Sequence, residues 1–532
     1  MKLSATPLDG GMCRFLVWAP QSDRVAVVLD GHPVPMRRLA RGYHCVETVA
    51  PPGTRYRYRL DDGHELADPA SRSQPEGVFG PSAVVDPAFA WSPWSGPAKD
   101  WIIYECHIGT WTDAGTFEAG IERLAALAAL GVTALEIMPV AQFPGSRNWG
   151  YDGVFPFAPQ NTYGGPDGLR RLVDACHQHG LAVILDVVYN HLGPEGNVLT
   201  SFGHYFTDAY HTPWGSAMNF DGPGSDEVRR FFIENALHWA WEYHIDALRL
   251  DAVHAILDRS ARPFLQQLAS RVPVPLFAES DANDPRLVQE FGMAAVWADD
   301  LHHALHALLT GERGGCYTDF GPISRLAAAY RHGFAFTGQR NRYRERRHGA
   351  MPTAMAPWQF VVCAQNHDQI GNRAQGERLV TLAGPRAAKV AAAAVLLSPF
   401  TPLLFMGEEY GETAPFLYFT SHTDPALGRA VRAGRRREVG GNAPDPQREE
   451  TFMASLIHPT AETEDFAELI RLRKEMPAGP AVVAILGPET LQLRRGRFRI
   501  LLQFGGERAA ALQGRLRWRT GDGGLMAAVS ED

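Results

Sequence analysis

Over residues 101–406 short apolar runs alternate with helical segments eight times, and no other feature of the chain constrains its fold as much. The strand-like runs fall at residues 102–106, 133–138, 182–188, 245–251, 275–279, 295–299, 360–365 and 402–406. Between them apolar residues recur at helical spacing: Leu169, Leu172, Val173 and Cys176 in one segment, with Gly180 as its stop, and Val228, Phe231, Phe232, Ala236 and Trp239 in another. Eight such strands separated by helices outline an α/β fold, a parallel sheet closed into a (β/α)8 barrel.

The flanks have a different texture. Val25, Val27 and Leu29 alternate in one run, and Tyr56, Tyr58 and Leu60 alternate with Arg55, Arg57 and Arg59 in another, which predicts an N-terminal β-sandwich over residues 1–90. The turn-rich AWSPWSGPAKD, residues 90–100, separates it from a barrel over residues 100–450. Beyond that, a helix through Phe466, Leu469 and Leu472 leads into alternating segments at residues 490–494 and 498–504, a small C-terminal β-domain over residues 451–532. Two barrel connections, residues 191–225 and 311–358, are long enough to carry function. The basic run RNRYRERRHG in the second reads as a solvated helix face.

Charge and composition exclude some partners. A net charge of −8 argues against nucleic acid and against an anionic membrane surface, both of which need a basic face. The six cysteines are far apart and lack metal-ligand spacing, so they read as reduced core residues. The stretch MKLSATPLDGGMCRF has no apolar signal region, and the longest apolar run, residues 390–397, is far short of the ~20 residues of a membrane span. A soluble cytoplasmic protein is the expectation.

The chemistry is concentrated in IDALRLDAVHAI, residues 245–256. With a side-chain period of two, Arg249 and Asp251 share one face of the strand while Leu248 and Leu250 take the other. A charged pair at the end of an apolar barrel strand is either catalytic or a staple between loops. Glu279 after the fifth strand and Asp368 after the seventh fall at equivalent places, so three carboxylates converge on one rim. Glycoside cleavage with retention needs two of them, one ionised as nucleophile and one protonated as acid.

Four stretches, DVVYNH at residues 186–191, RLDAVH at 249–254, AES at 278–280 and NHD at 366–368, resemble the four short motifs of the α-amylase superfamily of glycoside hydrolases. The resemblance implies Asp251 as nucleophile, Glu279 as general acid/base and Asp368 as the carboxylate that fixes the sugar ring. It implies that Arg249 orients the nucleophile, that His191 and His367 hydrogen-bond the sugar, and that Tyr151 stacks on it. Asp186 reads as support for the strand end, and Trp149 as a stacking platform or as core. His254, Asp281, Asp284 and Asp300 are candidate walls of the leaving-group side. Asn190 sits where some amylases bind calcium, but no acidic cluster accompanies it, and neither a metal nor another cofactor is called for.

Longer stretches narrow the resemblance. YECHIGTWTDAGTF (104–117), NWGYDGVFPFAPQNTYGGPDGL (148–169), VWADDLHHALHALLTGE (296–312) and PLLFMGEEYGETAPFLYFTSH (402–422) are similar to maltooligosyltrehalose trehalohydrolases, loosely so beyond about residue 440. That group implies hydrolysis of the α-1,4 bond next to the trehalose end of maltooligosyl trehalose or related α-glucans, with a maltooligosyl trehalose synthase as functional partner. A branching transglycosylase of the same superfamily is the alternative. A non-catalytic glucan-binding protein is a further one.

Overall fold

The computed structural model describes residues 2–98, 100–506, 512–521 and 524–532; Met1, Lys99 of the segment over residues 90–100, and parts of the C-terminal region lie outside it. Its centre is a closed barrel of eight parallel strands: Ile103–Cys106, Ala134–Ile137, Ala182–Val187, Ala247–Leu250, Leu276–Ala278, Ala295–Trp297, Phe360–Cys363 and Thr401–Phe405. These are the eight runs read from the sequence, seven of them trimmed by one or more residues and the eighth shifted by one toward the N-terminus. Every residue in them is buried, as expected of a sheet covered by helices outside and filled by its own side chains inside.

The covering helices bury the stripes their spacing defines. Leu169, Leu172, Val173 and Cys176 are inaccessible in helix Gly165–Gln178, and Gly180, at φ +74°, turns the chain back toward the third strand. Val228, Phe231, Phe232, Ala236 and Trp239 are buried in helix Ser225–Glu242. No helix among the described residues is long and apolar enough to cross a membrane.

Two antiparallel sheets precede the barrel. One contains Ser4–Pro7, Met12–Trp18, Arg37–Arg38 and Tyr43–Val49, the other Ala26–Leu29, His32–Pro35, Arg55–Arg59, Glu65–Leu66 and Ser82–Ala83. Tyr56 and Tyr58 point into the core between flanking arginines, as the alternation requires. These sheets also brace a barrel loop. Tyr58 meets Phe202 edge-on at 6.2 Å and Trp18 meets Tyr205 at 5.2 Å.

After the barrel, helix Glu464–Glu475 and a five-stranded antiparallel sheet from Val482 onward pack on helix Pro385–Leu396, the link between the seventh and eighth strands. Two arginines, Arg495 buried and Arg473 half-buried, fasten this joint. Arg473 donates to the carbonyls of Leu396, Ser398 and Phe400, and Arg495 to those of Leu397 and Ser398.

The long connections have structure of their own. Residues 191–225 contain a hairpin, Phe206–Thr212 with Gly215–Met218, whose tip carries Trp214. Residues 311–358 contain helix Ile323–His332 and a second hairpin, Arg340–Asn341 with Arg346–Arg347. The expected helix over the basic run is therefore replaced by a tight turn. Its positive charges are held apart and partly neutralised, with Arg342 on Asp319 at 2.6 Å and Arg344 on Asp281 at 2.9 Å.

Candidate active site

The cleft at the C-terminal rim is built on one buried cation. Arg249 is fully buried and shares its strand register with Asp186 of the neighbouring strand. Its Nη1 donates to Asp186 at 2.7 Å and to Asp251 at 2.9 Å, and Nη2 lies 3.6 Å from Glu279. A buried guanidinium this close to three carboxylates is compensated rather than stranded. Its plane also lies against Trp297, 4.5 Å from the ring centroid.

Asp251 and Glu279 differ in their surroundings. Besides Arg249, Asp251 receives the Asn190 side-chain amide at 2.7 Å, so its charge is held by two donors. Asn190 is thus engaged with the carboxylate. Glu279 faces the same cleft with fewer donors. Burial, opposed by Arg249 and reinforced by Asp251, Asp368 and Asp299, pushes its carboxyl up to about 8.

Local sequence explains how each group is aimed. Asn366 caps the short helix His367–Gly371 by accepting the Gln369 N–H, which fixes His367 inward and leaves Asp368 partly exposed at the cleft. In WGYDG, Gly150 has φ +107°, and a Cβ there would lie 2.0 Å from the Pro139 carbonyl oxygen, so only glycine allows the turn. That turn sends Trp149 and Tyr151 to different surroundings. Trp149 is buried, stacked on Phe416 at 5.1 Å and bonded to the Leu417 carbonyl. Tyr151 is half-buried, with its ring on His367 and its hydroxyl bonded to both Asp186 and His367 at 2.7 Å.

His191 hydrogen-bonds Asn190 and the Tyr151 carbonyl, and Trp214 from the first hairpin stacks over it at 5.2 Å. Trp214 is 49% exposed, an aromatic face at the cleft mouth that the sequence reading did not single out. His254 and Asp281 lie 3.9 Å apart on the rim, with Arg344 beside them. The other two candidate walls belong elsewhere. Asp284 is turned onto Arg286 at 2.6 Å, and buried Asp300 accepts the Ala335 and Phe336 N–H groups and the Asn283 amide.

The sixth strand supplies a group the sequence reading placed one residue off. Asp299, not Asp300, stands among the cleft carboxylates; burial, together with Asp368, Asp300 and Asp281, pushes it up to about 7. Deeper in the barrel, Glu105 and Glu136 face each other in register on the first two strands. Glu105 meets His367 Nδ1 at 2.5 Å. Burial works against a charge on His367, but Glu105 and Asp368 outweigh it and lift the imidazole to about 9. Both residues could have been noticed, since a glutamate inside a fully apolar parallel strand is itself a signal.

Comparisons with known proteins give the chain its family. The family described as "Alpha amylase, catalytic domain" matches residues 85–212. A malto-oligosyltrehalose trehalohydrolase of Saccharolobus solfataricus is 48% identical over 485 residues, covering 88% of this chain and 86% of its own. The chain belongs to the malto-oligosyltrehalose trehalohydrolases. Another trehalohydrolase, from Arthrobacter ramosus, is 43% identical and covers 87% of both chains. Among solved structures, a Salmonella typhimurium protein named as an alpha amylase superposes with a TM-score of 0.92 at 37% identity over 99% of both chains. Membership in the trehalohydrolases makes the chain a glycoside hydrolase of the α-amylase superfamily, and the barrel cleft is where such chemistry has its groups assembled.

Proposed function

We propose that the chain hydrolyses the α-1,4-glucosidic bond next to the trehalose end of maltooligosyl trehalose, releasing trehalose and a maltooligosaccharide. The observation that carries the mechanism is Arg249 drawing Asp251 and Glu279 to one guanidinium, with burial and its acidic neighbours raising the Glu279 carboxyl. Asp251 attacks the anomeric carbon as Glu279 protonates the departing oxygen. Glu279 then takes a proton from water, which displaces Asp251, and two inversions retain the α configuration. Asp368 holds the ring hydroxyls, Tyr151 covers the ring face, His191 and His367, whose ring nitrogens are engaged by Asn190, Tyr151 and Glu105, fix that face from below, and Asp186 keeps Arg249 in place. His254 and Asp281 line the leaving-group side, and Trp149 supports His367 from behind, 5.9 Å away edge-on.

In this reading the chain works as three units, residues 1–90, 100–450 and 451–532, with the chemistry in the middle one. The first braces the loop that carries Trp214 rather than binding glucan. The substrate has a non-reducing 1,1-linked end, so an enzyme that converts the reducing end of a maltooligosaccharide into that linkage must act first, in the same cytoplasmic compartment.

Products from maltotriosyl trehalose and from maltopentaose, equal in length and different only at that end, test the reading. Rapid trehalose release from the first with slow attack on the second is the expected result. Equal attack on both, or branched products from amylose, would replace it with a general amylase or a branching enzyme.

A further inference from the structure

Counting protons along one run of hydrogen bonds gives a role to a residue outside the three rim carboxylates. Asp186 is paired with Arg249 and acts only as an acceptor, so the single proton of the Tyr151 hydroxyl goes to it. The Tyr151 oxygen must then accept from Nε2 of His367, 2.7 Å away. On the other side of the ring Nδ1 donates to Glu105 Oε1 at 2.5 Å, and Glu105 Oε2 takes the His367 backbone N–H at 3.2 Å. Both ring nitrogens are donors, which only the imidazolium form satisfies. We propose that Glu105 is a positioning residue whose carboxylate keeps His367 doubly protonated. It thereby sets the direction of the hydrogen bonds that run through Tyr151 and Asp186 to Arg249 and Asp251.

The groups facing His367 single out Glu105 for this task. They are Glu105, Glu136, Asp186, Arg249, Tyr151 and Asp368, the last at 3.7 Å, with His107 behind. Glu136 has both oxygens buried without a partner, and burial raises its carboxyl well above the usual range, which makes it the neutral member of the strand pair. Asp186 is committed to Arg249, and Asp368 is partly exposed. Without the Glu105 charge, burial and Arg249 favour the neutral ring. A neutral ring that keeps its proton on Nδ1, toward residue 105, makes Nε2 an acceptor, which draws the Tyr151 proton, and Asp186 loses a donor. The proposal rests on this cleft as the place of glycosyl transfer, but not on which glucan is cut.

The test compares the wild type with Glu105→Gln and Glu136→Gln, recording imidazole 15N shifts of His367 and kcat from about pH 5 to about pH 9. Wild type and E136Q should hold both His367 nitrogens protonated at neutral pH. E105Q should show a neutral ring there, keep most of its kcat at the acid end, and lose about 10- to 100-fold as pH rises, with KM moving less. Glu105→Asp, which restores a carboxylate, should regain the alkaline activity in part. A neutral His367 in the wild type overturns the proposal without any variant or substrate. So does an unshifted profile in E105Q, or an equal shift in E136Q.

Discussion

The backbone N–H of Ala252 donates to Oε2 of Glu279 at 2.5 Å, although Ala252 is the residue after the proposed nucleophile and Glu279 follows the next strand. Ala252 reaches it by adopting φ +39°, ψ 51°, a left-handed conformation uncommon for alanine. The strain ties the two carboxylates together through the main chain as well as through Arg249.

Substituting Ala252 with glycine should therefore stabilise the protein. The strained backbone costs of order 1–3 kcal/mol, whereas the added freedom of an unfolded glycine costs about 0.4–1 kcal/mol. A calorimetric Tm about one or two degrees higher, with kcat kept because the N–H remains, is the expected outcome. A lower Tm would mean that the conformation is not strained.

Glu279→Gln should lower kcat on maltotriosyl trehalose by about 10²- to 10⁴-fold. On an α-maltosyl fluoride, whose leaving group needs no proton, the first step should be affected far less. An equal loss on both substrates would remove Glu279 from the acid role.

Above neutral pH the folded protein should lose stability. Burial raises Glu279 and Glu408 from the ordinary 4.5 to about 8, and His367 is raised from 6.5 to about 9. Each holds its proton in the folded chain where the unfolded chain has lost it, so stability falls as pH rises through these values. The histidines depressed by burial, His107 and His348 at about 4, have completed their opposite contribution below that range. Tm should drop between about pH 7 and about pH 8.5, and Glu408→Gln should flatten the drop. A Tm that climbs over the same interval contradicts this balance.

Trp214→Ala should raise KM about two- to tenfold and leave kcat nearly unchanged, since aromatic stacking is worth about 0.5–1.5 kcal/mol and the ring touches His191 rather than the carboxylates. Initial rates over a range of substrate concentrations separate the two parameters. A fall in kcat at constant KM would place Trp214 in the chemical step instead.

Much of this was legible in the sequence because parallel strands buried on both faces leave an unbroken apolar signal, and Arg249 and Asp251 interrupt it at a strand end. Inward-facing residues deeper in the barrel were harder. Glu105 stands out as a charge in an apolar strand, but its partner shows only when closure of the barrel brings it against His367, nearly the whole length of the barrel away in sequence. Asp299 and Asp300 are indistinguishable by type, and only the turn into helix Asp300–Thr310 decides which enters the cleft. The basic run was misread because its charges suggested helix, while the contacts that hold it as a hairpin, Asp319 and Asp281, lie on other segments.

Arg473 and Arg495 bear on how the enzyme is made. The carbonyls they bind, from Leu396 to Phe400, form the bend from which the eighth strand starts, and that strand pairs with the first to close the ring. During synthesis all eight strands leave the ribosome before either arginine does. The seam must wait, with its bend unsupported, for a segment that carries none of the proposed catalytic residues, and a chain halted before Arg473 would hold all of them on a barrel not yet latched.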